Sequence, residues 1–407
     1  MFVAADISQA QWTNVGLDSL DAVSLASSGT NLFASVLGVG IYRSTDDGTT
    51  WTQTNTGLTN TSVIAFLVTD TTIFAATDGG GIFRSTDNGT IWTAVDSGLT
   101  NSFVYSLATS GSSIFAGTDG HVYRSTNSGA NWTEADSGLT RPGYAFYVWC
   151  LAVSGTSIFA GTSGGVFRST DNGMSWTQLE IGPLYTGFWT FLVSGTSLYA
   201  GTLEPEQEAG RGGIFLSTNN GSSWSEEDSG IMPTNVFALA LAGADILAGT
   251  SDYGVLLSTD KGTSWRGVNS GLANGVVWSL AVSGTNLLAA IGSWGAGGAG
   301  VWRRPLSELL SVDAPAIGAP AVFGLEQNYP NPFNPSTTIR YALPHRTHVL
   351  LTVLNTLGQR VATLVDAVQE PGEHSVKFDG GGIASGVYYY RLQTGGYVRT
   401  MRMLVLH

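Results

Sequence analysis

The stretch Ser85-Thr86-Asp87-Asn88-Gly89-Thr90-Ile91-Trp92 is written into this chain again and again. Its relatives stand at 44–51 (STDDGTTW), 125–132 (STNSGANW), 169–176 (STDNGMSW), 217–224 (STNNGSSW) and 258–265 (STDKGTSW). Copies of S-T-D/N-x-G-x-x-W spaced roughly 40 residues apart mark an array of short supersecondary units. The chemistry of each copy is that of a turn between strands. An Asp or Asn side chain accepts backbone N–H groups just ahead of it, and Gly takes the position with φ > 0. The Trp then starts the next strand and lays a large apolar surface over the turn. The acceptor column is Asp46, Asp87, Asn127, Asp171, Asn219 and Asp260. Because Asn serves in two copies, the position needs an acceptor and not a charge, which points to turns and away from metal or catalytic sites. The indole column is Trp51, Trp92, Trp132, Trp176, Trp224 and Trp265.

Around each turn the repeat has four strand-like runs. The first is apolar, as in Val104-Tyr105-Ser106-Leu107-Ala108; the second follows a tight turn, as in Ile158-Phe159-Ala160-Gly161-Thr162. The third leads into the Asp/Gly turn and the fourth leaves it at the Trp, the pattern of a meander. The first two runs occur seven times, near residues 23–34, 64–75, 105–116, 149–160, 189–200, 237–248 and 278–289, but the turn occurs six times. The seventh unit stops at Pro305 without a fourth strand, and Gln11-Trp12-Thr13 copies the start of one. The expectation is an all-β chain: a seven-bladed β-propeller over 11–304 whose N-terminal strand closes the last blade, removing sheet edges by radial closure. A column of small residues, Ser24, Ala65, Ser106, Cys150, Thr190, Ala238 and Ser279, falls where inner strands crowd towards the axis. Cys150 is thus read as a small buried residue. Arg43, Arg84, Arg124 and Arg168 recur at one strand position and are read as structural.

Composition bounds the remaining classes. In 407 residues there are 54 Gly and 12 Trp but only 12% charged residues, which suits a turn-rich β protein. The net charge is −13 and Lys261 and Lys377 are the lysines, so nucleic acid is not an expected partner. The lone cysteine permits neither an internal disulfide nor a thiolate metal cluster. No apolar run reaches the length of a membrane span. Ser8-Gln9-Ala10 fits a small-x-small cleavage pattern, so 1–10 reads as a signal-peptide remnant or a disordered terminus. An Ala/Pro-rich linker is expected over 305–322. Beyond it, Asn328-Tyr329-Pro330-Asn331-Pro332-Phe333-Asn334-Pro335 precedes strands at 337–343, 349–354, 360–364, 372–378, 386–393 and 397–406, read as a small Ig-like β-sandwich.

The repeated turns resemble the Asp-box (BNR) repeats of sialidase-like propellers. That resemblance implies a fold but little function, because the architecture carries sialidases, xyloglucanases, photosystem assembly factors and binding proteins. Residues 325–340, 353–365 and 385–391 resemble the type A C-terminal sorting domain of the type IX secretion system. Over 323–407 this implies contact with the secretion machinery and its sortase. It also implies export to the medium or outer-membrane surface of a Bacteroidota-like bacterium. The chain ends in Leu406-His407, where members of that family often end in a basic residue.

In a four-stranded meander the second-to-third loops and the connections between units share one end, opposite the Asp/Gly turns. Every length irregularity falls there: 141–147, 182–188, 203–211 and 293–299. Variable loops on a rigid scaffold are where binding usually resides. The candidate ligand-binding residues are Arg141, Tyr144, Tyr147, Tyr185, Glu204, Glu206, Arg211 and Trp294, suited to a glycan or an extracellular protein. A sialidase would need three converging arginines and an Arg-Ile-Pro segment, and the chain has no such segment. A glycoside hydrolase needs two carboxylates about 5–10 Å apart. Glu204, Glu206 or Glu208 facing Asp78, Asp119 or Asp252 would be that pair, although those three Asp residues stand at turns. His121 is the one histidine of the repeat region, and no His/Asp/Glu set shows metal-ligand spacing, so neither metal nor cofactor is expected. The reading is a non-catalytic binding or scaffold protein, with a polysaccharide hydrolase as the alternative.

Overall fold

The computed structural model describes residues 11–139, 146–181, 187–203, 212–227, 234–273, 275–292, 299–311, 324–343, 347–369, 372–394 and 397–406. Two compact units divide the chain, Met1–Val312 and Asp313–His407.

In the first unit the described residues form seven four-stranded antiparallel sheets, each in sequence order except one. A typical sheet runs Ala22–Ser28, Asn31–Val36, Gly40–Ser44, Thr52–Gln53. The exception joins Val276–Ser283, Asn286–Gly292 and Gly300–Pro305 to Thr13–Asn14 from the start of the chain. Its register pairs Thr13 with Arg303 and Asn14 with Trp302. Each first strand touches the first strand of the next sheet, and Val276–Ser283 touches Ala22–Ser28, so contact passes round without an end. The second strands are almost wholly buried, as a strand with a sheet packed on each face must be.

The turn octets behave as their chemistry dictates, with one addition. Asp46 Oδ1 accepts the N–H of Thr50, and Asn127 Oδ1 accepts that of Asn131, at 2.8 and 2.9 Å. Both the residue before the glycine and the glycine itself are left-handed, at φ 59° for Asn88 and 77° for Gly89. A Cβ on Gly89 would also lie 2.5 Å from Phe33 Cε1, a ring of the preceding sheet, so glycine answers two demands at once. The tryptophans reach further than their own turns. Trp92, Trp132 and Trp176 donate their indole N–H to the carbonyls of Thr54, Val95 and Ala135, each in the sheet before. They are latches between sheets as well as covers over turns. Trp224 alone of the described indoles bonds within its own turn, to Gly221 O.

Four of the turn carboxylates are held below their ordinary range by the hydrogen bonds they accept. Asp46 and Asp171 are lowered to about 2, chiefly by the hydroxyls of Thr50 and Ser175. Asp87 is lowered chiefly by the Ile91 N–H and Asp260 chiefly by the Ser264 hydroxyl. Groups whose folded pKa is depressed contribute stability that is present above the ordinary 3.8 and is lost as pH falls towards about 2. The melting temperature of this unit should therefore drop between those pH values. Asp46→Asn with Asp171→Asn should make that drop shallower, as Asn already serves in two turns. All twelve tryptophans lie in the first unit, so indole fluorescence follows its melting alone. An unchanged pH profile in the double variant would contradict the assignment.

The linker expected over 305–322 is corrected at its start. Gly300–Pro305 is strand and Leu306–Ser311 is an α-helix. Leu309 is 1% exposed and packs in one cluster with Trp12 and Val268, while Arg266 donates to its carbonyl. Leu306 and Leu309, three apart on one helical face, supply the apolar contact that makes this turn of helix worthwhile. Residues 312–322 lie outside the described ones.

The second unit has two sheets. One joins Gly324–Leu325, Ser336–Leu343 and Gly372–Asp379; the other orders Arg360–Gln369, Thr347–Leu354, Gly386–Gln393 and Val398–Val405. Both contribute to a single core that includes Ile339, Tyr341, Leu351, Tyr390 and Met403. Asn328 is 1% exposed, yet its amide donates to Thr337 Oγ1 and Pro330 O and its N–H to the Tyr390 hydroxyl. The proline-punctuated segment is thereby tied to the core. Among the described residues, no helix is long and apolar enough to cross a membrane.

Candidate functional site

The first strand of every sheet in the first unit carries a register break near its start. The unpaired residues at these breaks are Val23, Ile64, Tyr105, Trp149, Trp189, Phe237 and Trp278. A β-bulge re-aims the side chain it carries, and five of these seven are aromatic. The residue after each bulge belongs to the small column noted above, and the structure shows why it is small. Ser106 Oγ donates to Val148 O and Cys150 Sγ to Phe188 O, each across the contact between neighbouring first strands. Burial pushes the Cys150 thiol far above its ordinary range, so it is a packing residue and not a nucleophile.

The bulge aromatics and Tyr147 form a continuous arc. Tyr105 meets Tyr147 edge-on at 6.0 Å, Tyr147 stacks on Trp149 at 5.8 Å, and Trp149 lies 5.0 Å from Trp189. Trp189 touches both Phe237 at 5.5 Å and Trp278 at 6.4 Å, and the last two rings are 4.4 Å apart. Two glycines make room for it. A Cβ on Gly187 would sit 2.6 Å from Trp149 Cζ3, and one on Gly292 would sit 2.5 Å from Trp278 Nε1. Tyr105, Tyr147, Trp149, Trp189 and Trp278 are half-buried, so ring surface is left open to solvent.

This end of the unit is electrically one-sided. The Tyr105 hydroxyl is pushed up to about 12, mostly by burial and then by the negative fields of Asp119 and Asp78. Asn60 and Asn101 fix the corners that carry those acids, donating to the main-chain carbonyls of Asp78 and Asp119. Asp21 Oδ1 lies beside Trp278 at the far end of the arc, 3.6 Å from where a Cβ on Gly292 would stand. The described cations gather at the opposite end, in or beside the turns. Arg43, Arg84, Arg168 and Arg303 each donate to a carbonyl in the next sheet's turn, those of Asn88, Ser128, Asn220 and Asp47. Three of the four recurring arginines, with Arg303, are thus a second set of latches between sheets, while Arg124 donates to Ser113 in its own sheet.

Of the residues singled out from sequence, Tyr147 lies in the arc. Arg141, Tyr144, Tyr185, Glu204, Glu206, Arg211 and Trp294 lie outside the described residues, as does Glu208. Tyr105, Trp149, Trp189, Phe237 and Trp278 were missed as site residues because each reads as one more apolar residue of a first strand. Aligning the repeats puts all five in one column, but only the bulge turns that column towards a shared surface.

One His/Asp/Glu set does come together in space, although its sequence spacing is not that of metal ligands. His121 Nδ1 is 2.7 Å from Asp136 Oδ2, and ligand atoms of these two and Glu134 lie within 4.8 Å of one another. His121 stands where the other sheets have Gly40, Gly81, Gly165, Gly213, Gly254 and Gly300. The pair ties the third strand to the fourth, as Asn55 does by accepting the Ile41 N–H and Asn269 by accepting that of Val255. At the arc, Asp78 and Asp252 are exposed and Asp252 accepts the Ser251 hydroxyl, a solvated turn setting.

Residues 327–406 match the family of the secretion system C-terminal sorting domain. No curated protein is similar in sequence to the chain. YCF48 from Cyanidioschyzon merolae is 15% identical over 74% of this chain and 99% of its own, with a TM-score of 0.56. YCF48 bound to D1 peptide is similar at 14% identity, 74% and 98% coverage and a TM-score of 0.56. The GH74 xyloglucanase from Xanthomonas campestris is 16% identical over 81% of this chain, with a TM-score of 0.57, and the chain spans 59% of its length. At these identities the likeness is one of fold, and the first unit is a β-propeller.

Proposed function

We propose that this chain is an exported, non-catalytic recognition protein: a seven-bladed Asp-box propeller over 11–304, carried out of the cell by an Ig-like type IX sorting domain over 323–407. Its binding surface is the aromatic end, and its ligand is an extracellular glycan or polypeptide. The observation that carries this reading is the arc from Tyr105 to Trp278, whose rings apart from the buried Phe237 are half-buried and, apart from Tyr147, stand at bulges repeated in every sheet. Rigid, partly exposed aromatics provide large contact area at low entropic cost. Asp78 and Asp252 beside it are exposed at turns, and Asp252 accepts the Ser251 hydroxyl. Destination at the cell surface or in the medium follows from the sorting domain, and the secretion machinery and its sortase are the partners of residues 323–407.

The test is a binding and digestion screen of the full chain against polysaccharides and extracellular peptides. Binding without released product supports the recognition reading. Released oligosaccharide would replace it with a glycoside hydrolase and direct attention to Glu204 and Glu206.

A further inference from the structure

The charge distribution narrows the ligand. Asp21, Asp78 and Asp119 stand at the aromatic end, and no described lysine or arginine of the propeller does. The face of an aromatic ring is negative and attracts lysine and arginine heads, most strongly where water is partly excluded. A neutral sugar stacks on the same rings and its hydroxyls donate to carboxylates as well, but it brings no charge for them to neutralise. The arc crosses four successive sheets, from Tyr105 to Phe237, which is more than one small cation would cover.

We propose that the occupant of this end is a basic polypeptide segment, whose lysine or arginine heads lie over Tyr105, Tyr147 and Trp149 and pair with Asp78 and Asp119. The proposal rests on the reading of the aromatic end as the binding face. Asp78 and Asp119 select for charge, the rings supply contact area, and the Asn60 and Asn101 amides fix the main chain that carries the two acids before the ligand arrives. Preorganised acids of this kind act mainly on specificity and on the rate of encounter.

The experiment titrates the full chain with hexa-arginine, hexa-glutamate and cellohexaose while reading tryptophan fluorescence. Hexa-arginine should quench it and hexa-glutamate should not. Binding should weaken as salt rises past the point where the Debye length falls to about 8 Å. Asp78→Asn with Asp119→Asn should weaken hexa-arginine binding by roughly twofold to thirtyfold, the range for two largely exposed ion pairs. Because the whole molecule is acidic, Asp46→Asn with Asp171→Asn at the opposite end is the control and should bind as the parent does. Equal loss in both double variants would mean diffuse attraction and overturn the proposal. Cellohexaose binding that ignores Asp78 and Asp119, without a response to hexa-arginine, would overturn it too while leaving a glycan-binding module intact. No response to any of the three would sink the basic-peptide proposal, and an empty ligand screen would then sink the recognition reading as well.

Discussion

Trp12→Ala should lower the stability of the propeller by about 3–5 kcal/mol, the cost of emptying a large buried aromatic site. The strand that follows this residue is only Thr13–Asn14, so few ladder bonds fasten it to Gly300–Pro305. The indole adds a buried anchor to these and to the main-chain bonds between Val15, Gly16 and Val301. Trp12 is 3% exposed, its Nε1 donates to Val268 O at 2.6 Å, and its main-chain N–H donates to Ser270 O at 2.8 Å. It also packs with Leu309 of the terminal helix, so the substitution loosens both ends of the unit. Trp224→Ala is the comparator, because that indole bonds within its own turn and should cost less. Denaturant unfolding followed by tryptophan fluorescence measures both. A loss under about 1 kcal/mol for Trp12→Ala, no more than an ordinary substitution, would mean that the last sheet does not depend on the N-terminal strand.

Trp189→Ala should weaken ligand binding by about thirtyfold or more, the scale of a central hot spot worth at least about 2 kcal/mol. Trp189 is the hub of the arc, in contact with Trp149, Phe237 and Trp278. Removing it takes away a contact surface and also the support of three others. Trp189→Phe keeps an aromatic ring in the bulge and should recover part of the affinity. Ile64, the bulge residue on the far side of the ring, is the control, and Ile64→Ala should leave affinity within about twofold. Trp189→Ala binding as tightly as the parent, with its melting temperature unchanged, would move the site away from the arc.

What was legible in the sequence and what was not follows from how local each determinant is. The turns were legible because their chemistry is complete within eight residues: the Asp46 carboxylate meets the Thr50 N–H four positions on. Ring closure was legible from counting, since a chain with seven first strands and six turns leaves one sheet short and Gln11-Trp12-Thr13 spare. The tail strands were legible as runs following the proline-punctuated segment, and Gly386–Gln393 falls where it was expected. The latches were not. That Trp92 bonds Thr54 and Arg43 bonds Asn88 depends on which sheets become neighbours, 38 and 45 residues apart in the chain. The helix Leu306–Ser311 hid in a segment read as linker, because six residues with two packed leucines carry too little periodicity to announce themselves.

By itself, then, the sequence determined the repeat, its turn chemistry, its closure and the sorting tail, all properties that residues near in sequence or equal in register can specify. Only the tertiary structure decided the site. A bulge is one extra residue against a partner strand, and it exists only once Val148 has paired with Thr162 and Cys150 with Gly161. That offset turns Trp149 towards Trp189, whose sheet lies next to its own, and builds a surface from residues some 40 positions apart that no local pattern connects.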